Sequence, residues 1–395
     1  MKWEKKKLCE CTEYITDGDH QPAPKADKGV HFIKIKDIVN NQVSFDAQVY
    51  VPQEYYDNLP MERKPQKEDV LYTVVGSFGI PSYVQTDELF CFERNIALLH
   101  PNKDIEPRFL YYSLKNPAFY KGVEIVANGS AQKLIPLSKL KDLKILVPDK
   151  EAQRHIADIL SAYDDLIENN QRQIKLLEEA AQRLYKEWFV DLCFPGHENT
   201  KIVDGVPEGW SKSTVGNICK LRKVVITPDK IESNTPYIGL EHMPRNDICL
   251  STWGKSEEIN SNKFIYLKKD VLFGKIRPYF HKVGFALNDG ITSTDTMVMV
   301  ADQNLWGLLL VTVSSDAFVD FSYQNCKEGA KMPRADWKQM EKYAIMIADQ
   351  ATQKLFEQEI LVITNKISAL AFQCRSLREA RDRMLPKLMG GEVEV

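Results

Sequence analysis

The chain lacks the features expected of a membrane or secreted protein. It contains no apolar run of about 18 residues, so the sequence predicts no transmembrane helix. Residues 1–7 form a segment rich in charged side chains, and no apolar segment follows it. This pattern differs from that of a secretory signal. The eight cysteines are scattered, and no Cys-x-x-Cys pair or Cys/His group with zinc spacing occurs. We therefore expect a cytoplasmic protein with reduced thiols and no metal site.

The motifs of several enzyme classes are also missing. No GxxxxGK phosphate loop and no strand followed by GxGxxG occurs, so neither ATP hydrolysis nor a dinucleotide or S-adenosylmethionine site is predicted. Asn116-Pro117-Ala118-Phe119 is similar to the Asn-Pro-Pro-Phe/Tyr loop of amino-methyltransferases, but it lacks the second proline and follows a helical stretch. Pro148-Asp149-Lys150 fits a helix start better than a nuclease fragment, because an aspartate is favourable near the N-terminal dipole. We expect no catalytic residue in this chain.

Charge is distributed unevenly along the 395 residues. The net charge of −3 argues mildly against a nucleic-acid-binding protein. The acids are concentrated, however, in residues 151–187, which carry eight Asp/Glu and five Lys/Arg. Basic residues cluster elsewhere, at Lys5-Lys6-Lys7, Lys34 and Lys36, Arg222-Lys223, and Lys268, Lys269, Lys275, Arg277 and Lys282. The total can therefore hide basic surfaces on an acidic scaffold.

The sequence repeats itself with a period of about 200 residues. Lys67-Glu68-Asp69-Val70-Leu71-Tyr72 matches Lys268-Lys269-Asp270-Val271-Leu272-Phe273, and Trp3 corresponds to Trp210. Leu177-Glu178-Glu179-Ala180 matches Leu377-Arg378-Glu379-Ala380. Each half therefore has the same order, in which a mixed segment of about 150 residues precedes a long helix.

Two long helices are the clearest local prediction. Apolar residues recur at the a and d positions of a heptad over four repeats in each half, which favours a coiled coil. Asn170 occupies a d position and is expected to fix the register at some cost in stability. The alternative is that each helix packs on its own globular segment. The predicted interface consists of Ile156, Leu160, Tyr163, Ile167, Ile174, Leu177 and Leu184 in the first helix, and Phe356, Ile360, Ile363, Ile367, Leu370, Leu377 and Met384 in the second.

The segments before the helices are predicted to be mixed α/β globules. Residues 31–36 alternate with period two, and residues 70–83 and 271–285 are apolar runs broken by glycine and proline, which indicates short strands and turns. Residues 109–114 and 305–313 are predicted to be helical. We expect an α+β fold with a pseudo-twofold internal repeat, in which the two long helices form an antiparallel coiled coil. The expected boundaries are 1–148 and 193–347 for the globules, and 149–192 and 348–395 for the helices and the C-terminal tail.

The order globule–helix–globule–helix resembles the specificity subunits of type I restriction–modification systems along nearly the whole chain. The motifs that carry the resemblance are weak singly and strong in their duplicated order. In the first half they are Gly129-Ser130-Ala131-Gln132 and Pro148 with Gln153, and in the second Pro207-Glu208-Gly209-Trp210, Lys275-Ile276-Arg277-Pro278-Tyr279, Asp289-Gly290-Ile291-Thr292-Ser293-Thr294-Asp295 and Leu385-Pro386-Lys387-Leu388. Ala348 departs from the pattern where a proline like Pro148 is expected.

The resemblance implies a function and a set of partners. Each globule would be a target recognition domain that reads one half of a two-part DNA site, and the paired helices would hold the two domains apart. Two modification (methyltransferase) subunits and the motor–nuclease restriction subunits would assemble on the chain in a bacterial or archaeal cytoplasm. S-adenosylmethionine, ATP and Mg²⁺ would belong to those partners, and this chain would need no cofactor.

The residues expected to contact DNA are polar or basic side chains that can reach base edges or phosphates. For any one of them the alternative is a structural role, such as an ion pair, a core position or a turn. The predicted set is Lys34, Lys36, Ser77, Arg94, Ser130 and Gln132 in the first globule, and His242, Lys275, Arg277, Tyr279, Ser293, Thr294 and Lys331 in the second.

Two other functions compete with this interpretation. A stand-alone duplicated DNA-binding regulator would bind DNA tightly without partners and would not co-purify with a methyltransferase. A coiled-coil adaptor without affinity for nucleic acid would leave the basic clusters of the duplicated globules unexplained. Genes for a methyltransferase and a helicase–nuclease beside this one would favour the restriction–modification interpretation.

Overall fold

The polypeptide divides into two units in the computed structural model. The structure describes residues 2–20, 22–39, 41–127, 133–302, 304–326 and 332–393. Unit 1 comprises Met1–Leu166 and Leu377–Val395, and unit 2 comprises Ile167–Ser376. Across these described ranges, no helix has both the length and the apolar character that a bilayer span needs.

The strands of unit 1 are β1 (Glu4–Lys7), β2 (Thr12–Asp17), β3 (Val30–Ile33), β4 (Ile38–Val39), β5 (Gln42–Val43), β6 (Tyr50–Val51), β7 (Val70–Thr73), β8 (Pro81–Tyr83), β9 (Phe90–Phe92), β10 (Ile96–Pro101) and β11 (Lys144–Val147). They form a four-stranded sheet in the order β2-β10-β7-β8, a three-stranded sheet in the order β6-β3-β9, and the pairs β1-β11 and β4-β5. The short helices of unit 1 are α1 (Leu8–Cys11), α2 (Gln53–Asp57), α3 (Pro107–Lys115), α4 (Pro117–Val126) and α5 (Leu137–Asp142).

Two long helices follow the globular segments, α6 (Lys150–Tyr185), which continues into a π-helical turn at Lys186–Val190, and α11 (Gln350–Met389). The Asp149 carboxylate accepts a hydrogen bond from the Ala152 N–H (2.9 Å), which confirms the predicted helix start. Asp349 does the same for the second helix, through the Ala351 N–H at 2.9 Å. A proline before the aspartate is therefore not required for this cap.

The strands of unit 2 are β12 (Ile202–Val203), β13 (Val206–Pro207), β14 (Ser211–Thr214), β15 (Cys219–Leu221), β16 (Val225–Ile226), β17 (Tyr237–Ile238), β18 (Cys249–Leu250), β19 (Lys263–Tyr266), β20 (Val271–Gly274), β21 (Val283–Ala286), β22 (Gly290–Thr292), β23 (Thr296–Ala301) and β24 (Ala344–Ile347). They form a five-stranded sheet in the order β15-β23-β20-β21-β18, a four-stranded sheet in the order β16-β19-β22-β17, and the pairs β14-β24 and β12-β13. The short helices of unit 2 are α7 (Val215–Ile218), α8 (Trp306–Val313), α9 (Asp316–Gln324) and α10 (Trp337–Met340).

The predicted internal repeat is confirmed strand by strand. The central strand β7 pairs with β10 so that Val70 faces Leu99, and β20 pairs with β23 so that Val271 faces Met299. Both central strands are buried throughout, as their apolar sequences predict. The pairs β3–β9 and β17–β22 are both parallel, and β1–β11 and β14–β24 are both antiparallel. The α+β fold class predicted from the sequence is therefore correct.

The long helices run antiparallel and contribute to the core of each unit. In unit 1, Leu160 of α6 shares a buried cluster with Leu385 and Leu388 of α11. In unit 2, the Cys374 thiol lies 3.7 Å from the Ile167 carbonyl oxygen, and the Phe189 and Phe356 rings are 4.7 Å apart. Residues with increasing numbers in α6 therefore contact residues with decreasing numbers in α11, which confirms the predicted antiparallel coiled coil.

Every residue of the predicted helix interface is buried or half-buried. Leu160 lies in the core of unit 1 and Ile360 in that of unit 2. Asn170 is buried, and within the described part of the chain its Nδ2 has no hydrogen-bond partner. A buried polar group of this kind lowers stability, which is the cost expected of a residue that fixes helix register.

One detail differs from the sequence-based expectations. Only Val30–Ile33 of the alternating segment forms a strand, because Ile35–Asp37 is a 3-10 turn in which the Asp37 carboxylate accepts the Lys34 N–H at 3.0 Å. The four predicted domain boundaries stay a prediction. Each unit combines one globule with part of both long helices, because the apolar faces of the helices pack against the globules.

Candidate nucleic-acid interface

Three loops of unit 1 meet at the end of the central strand β7. The Val74 N–H donates to the Asn95 carbonyl (2.9 Å), and the Ile135 N–H donates to the Val74 carbonyl (2.9 Å). These bonds connect the loop after β7 to the turn between β9 and β10 and to the segment before α5. We call this surface the loop face of unit 1, and it consists of residues 75–79, 93–95 and 133–136.

Unit 2 has an equivalent surface at the end of β20. The Lys275 N–H donates to the Asp295 carbonyl, and the Arg277 N–H donates to the Pro333 carbonyl, both at 2.8 Å. An isolated bridge between Ile276 and Arg334 matches the bridge between Val75 and Leu134 in unit 1. The loop face of unit 2 consists of residues 275–281, 293–295 and 332–335.

A cleft that borders the loop face of unit 1 brings two of the predicted DNA-contact residues together. Lys34 and Arg94 both line a cleft of about 450 Å³, and Arg94 also lines a neighbouring cleft of about 490 Å³. Lys36 and Ser77 are exposed, and the Ser77 carbonyl accepts a hydrogen bond from the Thr73 hydroxyl at 2.7 Å. Arg94 therefore lies where two grooves of this face join. The predicted contacts Ser130 and Gln132 fall outside the described residues.

In unit 2, three predicted residues face outward from the loop face. Arg277, Tyr279 and Thr294 are exposed, and Ser293 is half-buried with its hydroxyl accepting the Asp295 N–H at 3.1 Å. These side chains are available to a ligand without rearrangement of the loop. Lys331 lies outside the described residues.

Two further predicted residues are engaged within unit 2. The Lys275 ammonium donates to the Thr294 carbonyl at 2.7 Å, and burial lowers the pKa of this lysine. The His242 Nδ1 accepts the Gly239 N–H at 3.0 Å, and its ring lies edge-on to Tyr237. The structure thus gives both side chains a part in holding loops, which does not require contact with DNA.

The sequence did not single out some residues that the fold brings to these surfaces. The Arg245 guanidinium lies 4.0 Å from the centre of the Phe280 ring, and the exposed Tyr323 ring lies 5.3 Å from that of Tyr279. In unit 1, the Lys133 ammonium lies 5.3 Å from the Phe78 ring. No local pattern marks them, because their partners are remote in the chain or outside any periodic element.

A buried aspartate precedes the central strand in each unit, at the end opposite the loop face. Asp69 lies 2.6 Å from the His100 Nδ1 and accepts the Gln66 N–H at 2.7 Å. Asp270 accepts the Arg222 Nε–H at 2.8 Å and the Leu267 N–H at 2.8 Å. Burial raises the pKa of Asp69, although its hydrogen bonds oppose the shift. These carboxylates anchor the strands that carry both loop faces.

No group of three or more His, Cys, Asp or Glu side chains able to hold a metal ion occurs among the described residues. The two loop faces instead offer guanidinium, hydroxyl and aromatic groups, which are suited to phosphates and base edges.

Sequence comparison places the chain among known proteins. The family model of the type I restriction modification DNA specificity domain matches residues 1–179. The type I restriction enzyme MjaIX specificity subunit of Methanocaldococcus jannaschii is 25% identical over 332 residues, which cover 76% of this chain and 72% of that protein. The putative MjaX specificity subunit of the same organism is 29% identical over 222 residues, and the match spans about half of its length (52%).

Structural comparison extends the similarity to both units. The crystal structure of the S subunit of a type I restriction–modification system from M. genitalium matches with a TM-score of 0.60 and 17% identity, and covers 98% of this chain and 96% of that one. This match shows a shared fold along nearly the whole chain. Together with the duplicated order of elements, these findings show that the chain is similar to type I restriction–modification specificity subunits, over 76% of its length in sequence and over 98% in fold.

Proposed function

We propose that this chain is the DNA-reading, non-catalytic subunit of a type I restriction–modification complex in the cytoplasm. Each unit would read one half of a two-part site through its loop face. The observation that carries the proposal is the duplication itself, in which equivalent strands present two loop faces with different side chains. A protein with two such surfaces on one scaffold is suited to two different half-sites.

We further propose that the chain acts as a scaffold for two methyltransferase subunits and for the motor–nuclease subunits. The proposal rests on the similarity of the chain to type I restriction–modification specificity subunits. In this assignment S-adenosylmethionine, ATP and Mg²⁺ belong to the partner subunits. The purified chain alone should therefore transfer no labelled methyl group to DNA, and transfer should begin when the modification subunits are added. Methyl transfer by the chain alone would refute the assignment.

The two-part reading is tested by exchanging one globule. Residues 205–348 are replaced by the corresponding segment of a related subunit, and methylated adenines in host DNA are mapped by single-molecule sequencing. One half of the recognised sequence should change while the other half stays the same. Changes in both halves, or in neither, would contradict the proposal. Tight DNA binding by the chain alone, without any co-purifying methyltransferase, would favour a stand-alone regulator.

A further inference from the structure

The Phe280 ring in the loop face of unit 2 lies beside two guanidinium groups. The Arg245 Cζ is 4.0 Å from the ring centre, and the Arg277 Cζ is 5.8 Å from it. A cation over an aromatic face is attracted by the ring quadrupole, so the ring orients both groups while leaving their N–H donors accessible. Arg245 and Arg277 are both exposed.

The backbone that carries Arg277 is held in an uncommon conformation. Arg277 and His281 have φ values of +51° and flank the 3-10 turn Pro278–Phe280. Left-handed conformations are unfavourable for residues with a side chain, so they persist only where the surroundings impose them. Here the Arg277 N–H donates to the Pro333 carbonyl at 2.8 Å, and a His281 ring nitrogen lies 2.9 Å from the Ser314 carbonyl. The loop therefore fixes the direction in which the Arg277 Cβ leaves the backbone, and the Phe280 ring lies 5.8 Å from its guanidinium.

Exposed aromatic rings lie next to these two arginines. Tyr279 is 46% exposed and Tyr323 is 47% exposed, and their ring centres are 5.3 Å apart in an edge-on arrangement. Tyr279 also contacts Phe280, with 4.8 Å between ring centres. Large exposed rings beside guanidinium groups mark a surface made for a partner.

The charges around this surface favour an anionic partner on the side of the arginines. Within the described residues, neither Arg245 nor Arg277 forms an ion pair with a carboxylate. Lys282 is turned inward and donates to the Leu240 carbonyl. Asp316 lies 3.3 Å from the His281 Nδ1, and Glu241 lies 3.7 Å from the His242 Nδ1. Carboxylates therefore border the surface without neutralising its two guanidinium groups.

We propose that Arg245, Arg277, Tyr279 and Tyr323, arranged around Phe280, form the DNA-contact surface of unit 2, with Arg245 on a phosphate and Arg277 on a base edge. The inference rests on the proposed function and adds Arg245, Phe280 and Tyr323 to the site. Arg277 is assigned to a base because base readout requires a donor pair of fixed direction. Arg245 lies on a separate loop and contacts the face of the Phe280 ring, which leaves its exposed N–H donors to a phosphate. Phe280 is a positioning residue.

The test measures DNA binding by the full chain with its modification subunits at several salt concentrations. The probes are a duplex that carries the methylated sequence mapped in host DNA and a scrambled duplex of equal length. Arg245→Ala should weaken binding to both duplexes several-fold and reduce the salt slope by about 0.9. Arg277→Ala should weaken binding to the mapped duplex by about 5- to 150-fold, with a much smaller effect on the scrambled one.

Phe280 is tested with two substitutions that differ in the ring. Phe280→Leu removes the aromatic face without changing charge and should weaken binding to the mapped duplex, whereas Phe280→Tyr should bind like the original chain. Lys212→Ala, at an exposed position on β14, is the control for loss of one positive charge and should leave affinity unchanged. Thermal melting of each variant separates misfolding from loss of contact.

The outcomes distinguish this inference from the function on which it rests. If the original complex binds the mapped duplex specifically while Arg245→Ala keeps both its affinity and its salt slope, the surface is wrong and the proposed function stands. Equal losses for Phe280→Leu and Phe280→Tyr in well-folded protein would also overturn the role of the ring. If the original complex binds neither duplex, the proposed function itself fails.

Discussion

The loops after the two central strands are closed by equivalent backbone hydrogen bonds but differ in sequence and length, since they comprise residues 74–79 in unit 1 and 275–281 in unit 2. Unit 1 has Gly76 and Gly79 at two left-handed positions, with φ values of +72° and +85°. Unit 2 places Arg277 and His281 at the equivalent positions, both at +51°. Glycine adopts this conformation without a steric penalty, whereas arginine and histidine do not. Unit 2 therefore has strained backbone at two positions that carry large side chains, whereas unit 1 has unstrained glycines at these positions.

A second difference lies at the other end of the same strands. The buried carboxylate of Asp69 faces a histidine, and that of Asp270 faces an arginine. The side chains of His100 and Arg222 are both 25% exposed, so solvent access does not distinguish the two pairs. An imidazole can become neutral when its partner is removed, but a guanidinium stays charged. The two units should therefore respond differently to loss of the aspartate.

The largest expected effect comes from removing Asp270. Asp270→Ala should destabilise unit 2 by about 3 kcal/mol, because it leaves the Arg222 charge and the Leu267 N–H without their acceptor. Asp69→Ala should cost about 1 kcal/mol less in unit 1, since the partner left without its acceptor is an imidazole, which does not carry a permanent charge as a guanidinium does. Hydrogen exchange of peptides from β20 and β7 measures the two losses separately. Asp229→Ala, at an exposed position, is the control. Equal losses of stability for Asp69→Ala and Asp270→Ala would contradict the expected difference between the two units.

A buried glutamate should make the stability of unit 2 fall as the pH rises from about 4.5 to about 8. Glu178 of α6 accepts the backbone N–H groups of Ile248 (3.0 Å) and Cys249 (3.1 Å), and its counterpart in the repeat is the half-buried Arg378. Burial raises the pKa of Glu178 from 4.5 to about 8, and the Asp247 carboxylate adds to the shift. The folded chain thus retains a proton that the unfolded chain releases above pH of about 4.5.

The sign of the effect follows from this difference in proton binding. The stabilising contribution of protonated Glu178 is complete below pH of about 4.5 and is lost as the pH rises towards 8. Glu178→Gln keeps the acceptor oxygen without the charge, so it should remove this slope and stabilise unit 2 by about 3 kcal/mol at pH of about 8. Urea unfolding between pH 5 and 8, at about one-unit intervals, measures the slope. The exposed neighbour Glu179→Gln should retain the original pH dependence, and an unchanged slope in Glu178→Gln would contradict the prediction.

The glycines of unit 1 are tested by adding a methyl group. A Cβ at Gly79 would lie 2.4 Å from the Tyr120 Cε2, in addition to the strain of a φ of +85°. Gly79→Ala should therefore destabilise unit 1 by about 2 kcal/mol. Gly196, with a φ of +89° and no neighbouring atom within 4 Å of the place that a Cβ would take, provides the strain-only control. Gly196→Ala should cost about 1 kcal/mol in thermal or urea unfolding, and an equal cost at both sites would show that Tyr120 moves aside.

The smallest effect concerns the backbone strain at Arg277. Arg277→Gly should be more stable than Arg277→Ala by about 1 kcal/mol, because only glycine adopts the left-handed conformation freely. Both variants should lose the same specific DNA affinity, since both remove the guanidinium. Differential scanning calorimetry measures the first difference and binding to the mapped duplex the second. A glycine variant less stable than the alanine variant would show that the strain is absent.

Much of the fold could be predicted because its signals are local. The heptads that begin at Leu160 and Ile360 predicted both long helices, and the matching Asp-Val-Leu stretches before β7 and β20 predicted the repeat. The sequence analysis missed the 3-10 turn after β3. This turn is closed by a hydrogen bond from the Lys34 N–H to the Asp37 carboxylate, and the alternation of apolar and polar residues does not indicate such a bond. The boundaries of the two units also depend on helix packing between remote segments.

The duplicated order of elements, the apolar faces of the helices and the resemblance to type I specificity subunits could all be predicted from the amino-acid sequence. Those properties depend on residue type and spacing, which are read along the chain. The tertiary structure was needed to show that Lys275 donates to the Thr294 carbonyl, that Arg245 contacts the Phe280 ring and that Glu178 is buried. Each of these depends on atoms brought together from separate strands, loops and helices. The side chains that meet a ligand are therefore fixed by packing and hydrogen bonds between distant segments, which no local pattern records.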